Sequence, residues 1–548
     1  AGSGIDMRFK QMDYNYDLIS GNVNSVSYQA DQPDQWHHRY TYDADNRIEN
    51  VQTSTDNISW DEDARYFYYD HGPLARVELG ENNVQGTDYA YTLQGWLKGV
   101  NSDLVTAQND MGSDGDNAAG NSNALIAKDA MGYSLNYYAG DYKAIDNILT
   151  TSTNFSSDVS ALYGGGSTNS LYNGNIGAMV TTLKAPVDLA TGTATVHPQA
   201  MAYKYDQLNR LEVAEGFDEK DAANNNVFSG GSSSTGAPRY YNKFRYDANG
   251  NITDQARFDM QGAQIDMLHY NYNADNNQLN YVEDYAGSYN GNDLDMQNSD
   301  NYTYDEIGQL SSDEQEGVAE ITWRADGKIK AIKRTSASGA DNLVFDYDPM
   351  GNRTAKHIYD NASGSLKYSL YYLRDASGNP MAVYKHEVDA STNQVSFLLH
   401  ERNIYGSSRV GLNKQQVEMT SPTTNSTCHY AHTLGERQYE LSNHLGNVLS
   451  VVTDRKYQVA SGNVVDYFEP EIIHASDYYP FGAPMEERTF STDTYRYGFN
   501  GMEKDDELKG AGNSYDFGAR MYDSRLGRFL SLDPEARNYP SLSDYSFV

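Results

Sequence analysis

The sequence predicts an all-β fold in which β-hairpin repeats stack into one long spiralling sheet. Composition is the first sign: 548 residues include 47 Tyr against 16 Phe, together with 46 Gly. The second is a Tyr-x-Tyr-Asp phrase that recurs with a turn residue at a fixed place behind it. The third is the interval between copies. Tyr304, Trp323, Tyr347 and Tyr372 follow one another at 19, 24 and 25 residues, a period that marks stacked supersecondary units.

The repeats begin near the N-terminus. YNYDLISGNV (Tyr14 to Val23), YTYDADNRI (Tyr40 to Ile48), YFYYDHGPLARV (Tyr66 to Val77) and YAYTLQGWLKGV (Tyr89 to Val100) fill residues 1–100. In a strand, residues two apart share a face, so Tyr40 and Tyr42 point the same way and can stack on the pair of the next unit. Asp43 then starts the turn, because its carboxylate can accept backbone amides two residues on. Gly or Asn follows where the backbone needs positive φ, as in Ala248-Asn249-Gly250-Asn251. The Arg/Ile/Leu tail opens the return strand. One hairpin is marginal alone, and stacking many of them is the expected remedy.

Residues 101–200 read as a loop-rich insertion. Asn101 to Ala127 is rich in Asn, Asp and Gly, and Tyr163 to Asn169 is flexible by composition, as is Ala223 to Pro238 further on. All three are expected to project from the wall as loops, because repeat phrasing resumes after each. Residues 201–480 return to the array with YKYDQLNRL (Tyr203 to Leu211), FRYDANGNI (Phe244 to Ile252), YNYNADNNQL (Tyr270 to Leu279), YTYDEIGQL (Tyr302 to Leu310), ITWRADGKIKAI (Ile321 to Ile332) and FDYDPMGNRT (Phe345 to Thr354).

The bulk numbers limit the function. Hydrophobic residues make up 39% and mean hydropathy is −0.73, poor in aliphatic core. Tyrosine compensates, since its ring buries a large area while its hydroxyl stays wet or bonded. A thin wall with solvent on both sides needs such side chains, whereas disordered chains are depleted in aromatics. A formal charge of −35 argues against nucleic acid and anionic membranes, which need a positive footprint. The single cysteine, Cys428, excludes an intrachain disulfide framework and is neutral about compartment. No apolar run approaches the roughly 18 residues of a membrane span. The opening AGSGIDMRFK, without an initiator Met, reads as the start of a piece of something longer.

The last third is sharper. YLRDASGNPMAVY (Tyr372 to Tyr384), NIYGSSRVG (Asn403 to Gly411), YELSNHLGNVLSVVTDRK (Tyr439 to Lys456) and DYYPFGAPM (Asp477 to Met485) lead into residues 481–548, with YDFGARMYDSRLGRFLSLDP from Tyr515 as the most specific element. This resembles the RHS repeat-associated core that closes bacterial RHS proteins. Upstream, MGYSLNYYAGDYKAI (Met131 to Ile145) and LYNGNIGAM (Leu171 to Met179) also look like segments of that family, so the resemblance spans nearly the whole chain. It implies a hollow β-cocoon built from YD/RHS repeats, with the core plugging one end. It also implies a polymorphic-toxin role in interbacterial competition. The partners would be a variable C-terminal passenger inside the shell, usually a toxin, and bacterial secretion machinery. The place would be outside the cell or on its surface. Teneurins and insecticidal toxin-complex C subunits share such shells.

In that family the core often frees its passenger by aspartate-based autoproteolysis. Carried over by motif, Asp533 in LSLDP takes the place of the first autoproteolytic aspartate, and Arg528 in GRF belongs to the same signature in a supporting role. Paired carboxylates sharing a proton can act as acid and base on a backbone amide. The sequence departs from the family beyond this point. A Ser-Pro-Tyr, an Asn-Asn-Pro stretch and an Asp-Pro-x-Gly cleavage region are usual, whereas here Ser543-Asp544-Tyr545 leads to Val548. The second aspartate and the scissile bond are therefore expected in a continuation. Asp533 equally reads as a turn or capping residue before Pro534.

Other constellations carry less. Cys428-His429-x-x-His432 has a zinc-like spacing without a fourth ligand, and reads as a surface loop, as does His37-His38. Asp247-x-Asn249-Gly250-Asn251-x-x-Asp254 superficially matches a calcium loop but lacks the closing Glu and coincides with a repeat turn. Ser442-Asn443-His444 with Asp454 has no nucleophile elbow. No phosphate-binding glycine loop is found, and neither a cofactor nor a metal is expected. Three functions remain: the passenger-carrying container, a surface adhesin or glycan-binding protein without a passenger, and a β-solenoid enzyme. The enzyme needs carboxylates clustered on one face at constant offset, and the repeats carry Asp only at turns, so no small-molecule activity is expected and self-cleavage is the one enzymatic step implied.

Overall fold

The computed structural model describes residues 10–106, 109–117, 120–143, 155, 159–164, 168–185, 196–217, 228, 239–287, 289, 291–388, 392, 394–420, 432–492 and 495–547. The all-β expectation holds. Sixteen strands from Met12–Tyr16 to Leu279–Asp284 pair in chain order as one antiparallel sheet. Fifteen more, from Tyr302–Tyr304 to Phe490–Ser491, form a second, in which Val417–Glu418 pairs off the main path with Val395–Tyr405. A four-stranded sheet follows, made of Glu503–Lys504, Ser514–Asp516, Met521–Asp523 and Arg528–Phe529.

The repeat turn is one device used many times. The Asp43 carboxylate accepts the amides of Asp45 and Arg47, each at 2.9 Å. Asp206, Asp247, Asp305, Asp348 and Asp375 each accept the amides two and four residues on in the same way. The positive-φ position falls three residues after the aspartate, at Asn46 (φ 63), Asn209 (φ 62) and Gly250 (φ 85). Register shifts at the last tyrosine of the first strand, as at Arg245/Tyr246, so each hairpin carries a bulge that adds twist.

Stacking between units is equally regular. The hydroxyl of the tyrosine before each turn donates to the first residue of the preceding return strand: Tyr42 to the Val23 carbonyl (2.8 Å), Tyr68 to Ile48 (2.8 Å), Tyr246 to Leu211 (2.7 Å) and Tyr272 to Ile252 (2.7 Å). Where tryptophan replaces tyrosine, Trp323 Nε1 makes the same bond to Leu310 (2.7 Å). The tail arginine of a unit lies over the next such ring, Arg47 at 4.3 Å from Tyr68 and Arg210 at 4.7 Å from Tyr246. These bonds are the reason for Tyr over Phe at this position: the ring supplies both buried area and a donor to that carbonyl.

The array divides in two where residues 285–301 interrupt it. Side chains replace the missing ladder there, the Val282 amide donating to Gln297 Oε1 (2.8 Å) and Asn280 to Asp300 (2.9 Å). The two sheets then meet. One core joins residues 26–183 to 381–475, including Trp36, whose Nε1 donates to the Asn403 carbonyl at 3.1 Å. A second joins 244–358 to 508–530, seating the C-terminal sheet on the wall.

The insertion departs from expectation. The described residues of Asn101 to Ala127 are only partly exposed, Thr106, Ser113, Asn117 and Leu125 being among the exposed ones. Asn101, Ser102, Asp103, Leu104, Asp114, Ile126 and Ala127 are buried, and Asn101 accepts from the Asp88 amide (2.8 Å) and donates to the Met131 carbonyl (2.8 Å). The polar side chains that suggested a solvated loop serve buried backbone instead. Of the segment Tyr163 to Asn169, Thr168 is buried and donates to the Tyr203 carbonyl at 2.8 Å. Ala223 to Pro238 lies outside the described residues except for Phe228, which is buried.

Candidate functional site

A cavity of about 890 Å³ opens where the end of the chain meets the wall. Repeat turns supply one side through Tyr205, Arg210, Tyr246 and Tyr272, and the C-terminal region supplies the other through Phe481, Phe499 and Arg528. Residues 541–547 run along it. Its size suits a short peptide or small ligand and is far below a folded domain.

The end segment is held at every step. The Ser543 amide donates to the Asn249 carbonyl at 2.7 Å, the Asp533 amide to the Asp544 carbonyl at 2.8 Å, and the Phe529 amide to the Tyr545 carbonyl at 3.0 Å. Tyr545 Oη donates to the Gly308 carbonyl at 2.6 Å, and Ser546 bridges Arg528 as an added strand residue. The Phe547 ring enters a box of four aromatics, 4.8 Å from Tyr522, 5.6 Å from Phe499, 5.7 Å from Phe517 and 5.9 Å from Phe529. Two repeat turns thus present their own carbonyls to the segment, which the same turn geometry leaves pointing outward.

Arg528 is buried beside this segment. Its Nη1 donates to Tyr272 Oη and its Nη2 to the Asn277 carbonyl, both at 2.9 Å, and its guanidinium lies 5.1 Å from the Tyr272 ring and 5.0 Å from that of Tyr545. Burial presses against its charge, but the surrounding tyrosines hold its pKa above the ordinary arginine value. Asp533 lies elsewhere. Its carboxylate pairs with Arg520 Nη2 at 2.8 Å and accepts the Glu535 amide at 2.8 Å. That is turn geometry at Pro534, combined with an ion pair. Arg528 and Asp533 make no mutual bond among the described residues. They share only the end segment, which both touch.

Sequence reasoning missed Arg520, whose Nη1 also donates to the Asp544 carbonyl at 3.3 Å, and missed Asn249, Gly308 and Phe547. Arg520 lies inside the quoted motif without a signal of its own, and the turn carbonyls are invisible to any residue pattern.

The other candidates resolve as follows. Cys428 and His429 lie outside the described residues, but His432 is no surface-loop residue: its Nδ1 is 3.1 Å from Asp61 and its Nε2 2.5 Å from Asp454. Bonds to Asp454 and then Asp61 push its pKa up to about 9. His37 and His38 are buried in the strand Trp36–Tyr42, and loss of water pushes His38 down to about 3. They read as isolated in sequence because nothing there shows that this strand faces the second sheet. Asp247 uses its carboxylate on its own turn. Asn443 likewise caps a turn, and His444 faces the cavity with its pKa pushed down to about 4 by burial.

No family model matches the sequence. Salivary gland surface protein 1 of Aedes aegypti is 25% identical over 194 residues, 35% of this chain and 5% of that protein. Among solved structures, those of TcdB2-TccC3-Cdc42 and TcdB2-TccC3-TEV are each 14% identical. They cover 96% and 98% of this chain and 30% and 27% of theirs, with TM-scores of 0.31 and 0.27. The Photorhabdus luminescens Tc holotoxin pore gives 14% identity, 96% and 30% coverage and a TM-score of 0.20. This chain spans a small part of the curated relative and under a third of the structural ones. At such scores the likeness carries no argument, and the all-β assignment rests on the strands themselves.

Proposed function

We propose that this chain is the wall and closing core of an exported bacterial RHS-type shell that encloses and delivers a polypeptide passenger, a toxin, continuous with its C-terminal end. The observation that carries the reading is the anchored end segment. Ser543 to Phe547 is tied by backbone to two repeat turns and to the C-terminal sheet, and Phe547 is locked in an aromatic box. A segment fixed so firmly in a seat built from distant parts of the chain suits the closing core of such a shell. The motif from Tyr515 supports the same reading.

Release would use Asp533. It lies against the Asp544 carbonyl with Arg520 holding its carboxylate, and a second carboxylate from the continuing chain would complete the pair. One carboxylate takes a proton from the attacking water while the other gives one to the departing amide nitrogen, so the products are a carboxylate and an amine. Arg528 fixes the segment from the other side, as a positioning residue. The place of action is outside the producing cell, reached through its secretion machinery.

The test is the denatured intact mass of the natively purified full-length parent beside its Asp533→Asn version. Two co-purifying fragments, with a single uncut chain in the variant, support a self-cleaving container. A single uncut chain in both removes the autoprotease. If no buried passenger then survives protease treatment of the native protein, the container reading falls and a surface adhesin or glycan binder takes its place.

A further inference from the structure

Away from the cavity, the segment 101–130 straps the first sheet to the second. It leaves the strand Leu97–Val100 and lands on the long hairpin of Val448–Ser461 and Val464–Ala475. Asn117 Nδ2 donates to the Val465 carbonyl at 3.2 Å, and the Lys128 amide donates to the Phe468 carbonyl at 3.0 Å. Lys128 Nζ lies 4.1 Å from the Tyr467 ring, and Lys456 Nζ donates to the Leu125 carbonyl at 2.5 Å.

Inside this strap three carboxylates converge. Oxygens of Asp88, Asp110 and Asp114 lie within 4.8 Å of one another. One guanidinium answers them: Arg76 Nη1 pairs with Asp88 and Nη2 with Asp114, each at 2.5 Å, while Nε pairs with Glu78 at 3.1 Å. The Asp110 carboxylate accepts the amides of Gly112 (2.9 Å) and Asp114 (3.0 Å). The Asp114 side chain is fully buried, and its Oδ2 has no hydrogen-bond partner. Asp129, also buried, accepts from Gln85 at 2.9 Å and adds to the negative field, its carboxyl held far above the usual range by burial and by Asp110, Asp114 and Asp88. Lys184 faces Asp129 but is paired with Glu469 at 3.0 Å. Two glycines give the guanidinium its room: a Cβ on Gly86 would stand 2.1 Å from Arg76 Nη2 and 2.2 Å from Asp114 Oδ2, and one on Gly112 2.2 Å from Arg76 Nη1 and 2.5 Å from Asp88 Oδ2.

We propose that Asp88, Asp110 and Asp114 bind a divalent cation, calcium, which fastens the strap to the first sheet, where Asp88 lies. A buried, unbonded carboxylate oxygen facing two further carboxylates is costly unless something positive meets it. Asp88, Asp110, Asp114 and Glu78 set four carboxylates against the one guanidinium of Arg76, and a divalent ion would offset most of the excess. The donors are oxygens alone, which selects a hard cation, and their irregular arrangement around a guanidinium suits the variable coordination of calcium better than the strict octahedron of magnesium. The alternative is that protons take the ion's place.

The experiment uses the whole chain, stripped with EDTA, desalted, and titrated calorimetrically with calcium chloride beside magnesium chloride. The expected result is one equivalent of calcium bound more tightly than magnesium. The melting temperature should rise by about 2 °C at a hundredfold excess of calcium over Kd, and chymotryptic cleavage at the exposed Leu125 should slow. Asp114→Asn should reverse sign between buffers, melting above wild type in EDTA, where a repelling charge is gone, and below it in calcium. The turn variant Asp43→Asn should keep the full calcium response. No heat and no thermal shift in the wild-type chain up to about 10 mM calcium, beyond the weakest such sites, overturns the proposal, as does an Asp114→Asn difference that is the same in both buffers. The wild-type titration decides even if the variant does not fold.

Discussion

Replacing Lys509 with Met should undock the C-terminal sheet from the wall. Lys509 ends the short helix Asp506–Lys509, and its Nζ lies 2.7 Å from Asp313 of the wall and 2.8 Å from Asp523 of the C-terminal sheet. All three side chains are at most 2% exposed. Burial pushes the Asp523 carboxyl up, but Lys509 and then Arg525 outweigh it and hold the carboxyl below its usual range. Without the ammonium, the two carboxylate oxygens face each other across at most the sum of those distances, about 5.5 Å. At an effective dielectric of 20 that is a repulsion of about 3 kcal/mol, within the roughly 3–5 kcal/mol seen when one partner of a buried pair is removed. If the whole chain melts as one unit, about 4 kcal/mol is a fall of roughly 3–4 °C. Because the stranded carboxyls now bind protons more readily folded than unfolded, the deficit should shrink as pH falls from 7 towards 5. Adding Asp313→Asn should recover more than half of it. Scanning calorimetry with hydrogen exchange of residues 503–530 reads both effects. A Lys509→Met protein within 1 °C of wild type, or one made no better by Asp313→Asn, refutes the argument that this lysine is the tie.

Two further outcomes follow from the same geometry. His432 has a folded pKa of about 9, above its unfolded value of about 6.5, so its contribution is complete below pH 6.5 and is lost as pH rises through 9. With Asp61, Asp454, Glu81 and Arg437 around it and part of the ring in water, the loss should be about 1–2 kcal/mol. Urea unfolding at pH 7 and 9.5 should show it in wild type and not in His432→Gln. Gly308 has φ +93, and a Cβ there would stand 2.8 Å from Tyr545 Oη. Gly308→Ala should therefore speed amide exchange across Ser543 to Phe547, whereas Gly364→Ala, equally strained in φ (+70) but with nothing within 4 Å, should leave that segment unchanged.

The repeat unit was legible because it is written locally. Tyr, Asp and Gly or Asn at fixed offsets encode a strand end, a turn and a positive-φ residue, and the structure repeats that turn at Asp43, Asp206, Asp247, Asp305, Asp348 and Asp375. What was not legible is everything that depends on which distant units meet. His38 looked like a loop residue because its burial against residues 381–475, where it meets Asn403 and Arg437, is decided by how the two sheets close. The 101–127 segment looked solvated because polar composition does not distinguish bonding to water from bonding to a buried backbone. Asp533 and Arg528, read together from one motif, turned out to have separate partners, since a strand end and a bend lie between them.

The same distinction bears on the charge of −35, which invites the idea of an acidic vessel for a basic cargo. Several buried cations tie remote parts of the chain together: Arg437 to Asp61 and Asp63, Arg353 and Lys356 to Asp505, Arg496 to Glu401, Lys184 to Glu469. Six aspartates, by contrast, serve turns one by one, each accepting two backbone amides. An array of hairpins closed this way gathers negative charge in proportion to its number of turns, whatever it encloses. Part of the net charge is therefore a product of turn chemistry and says nothing about what the array encloses.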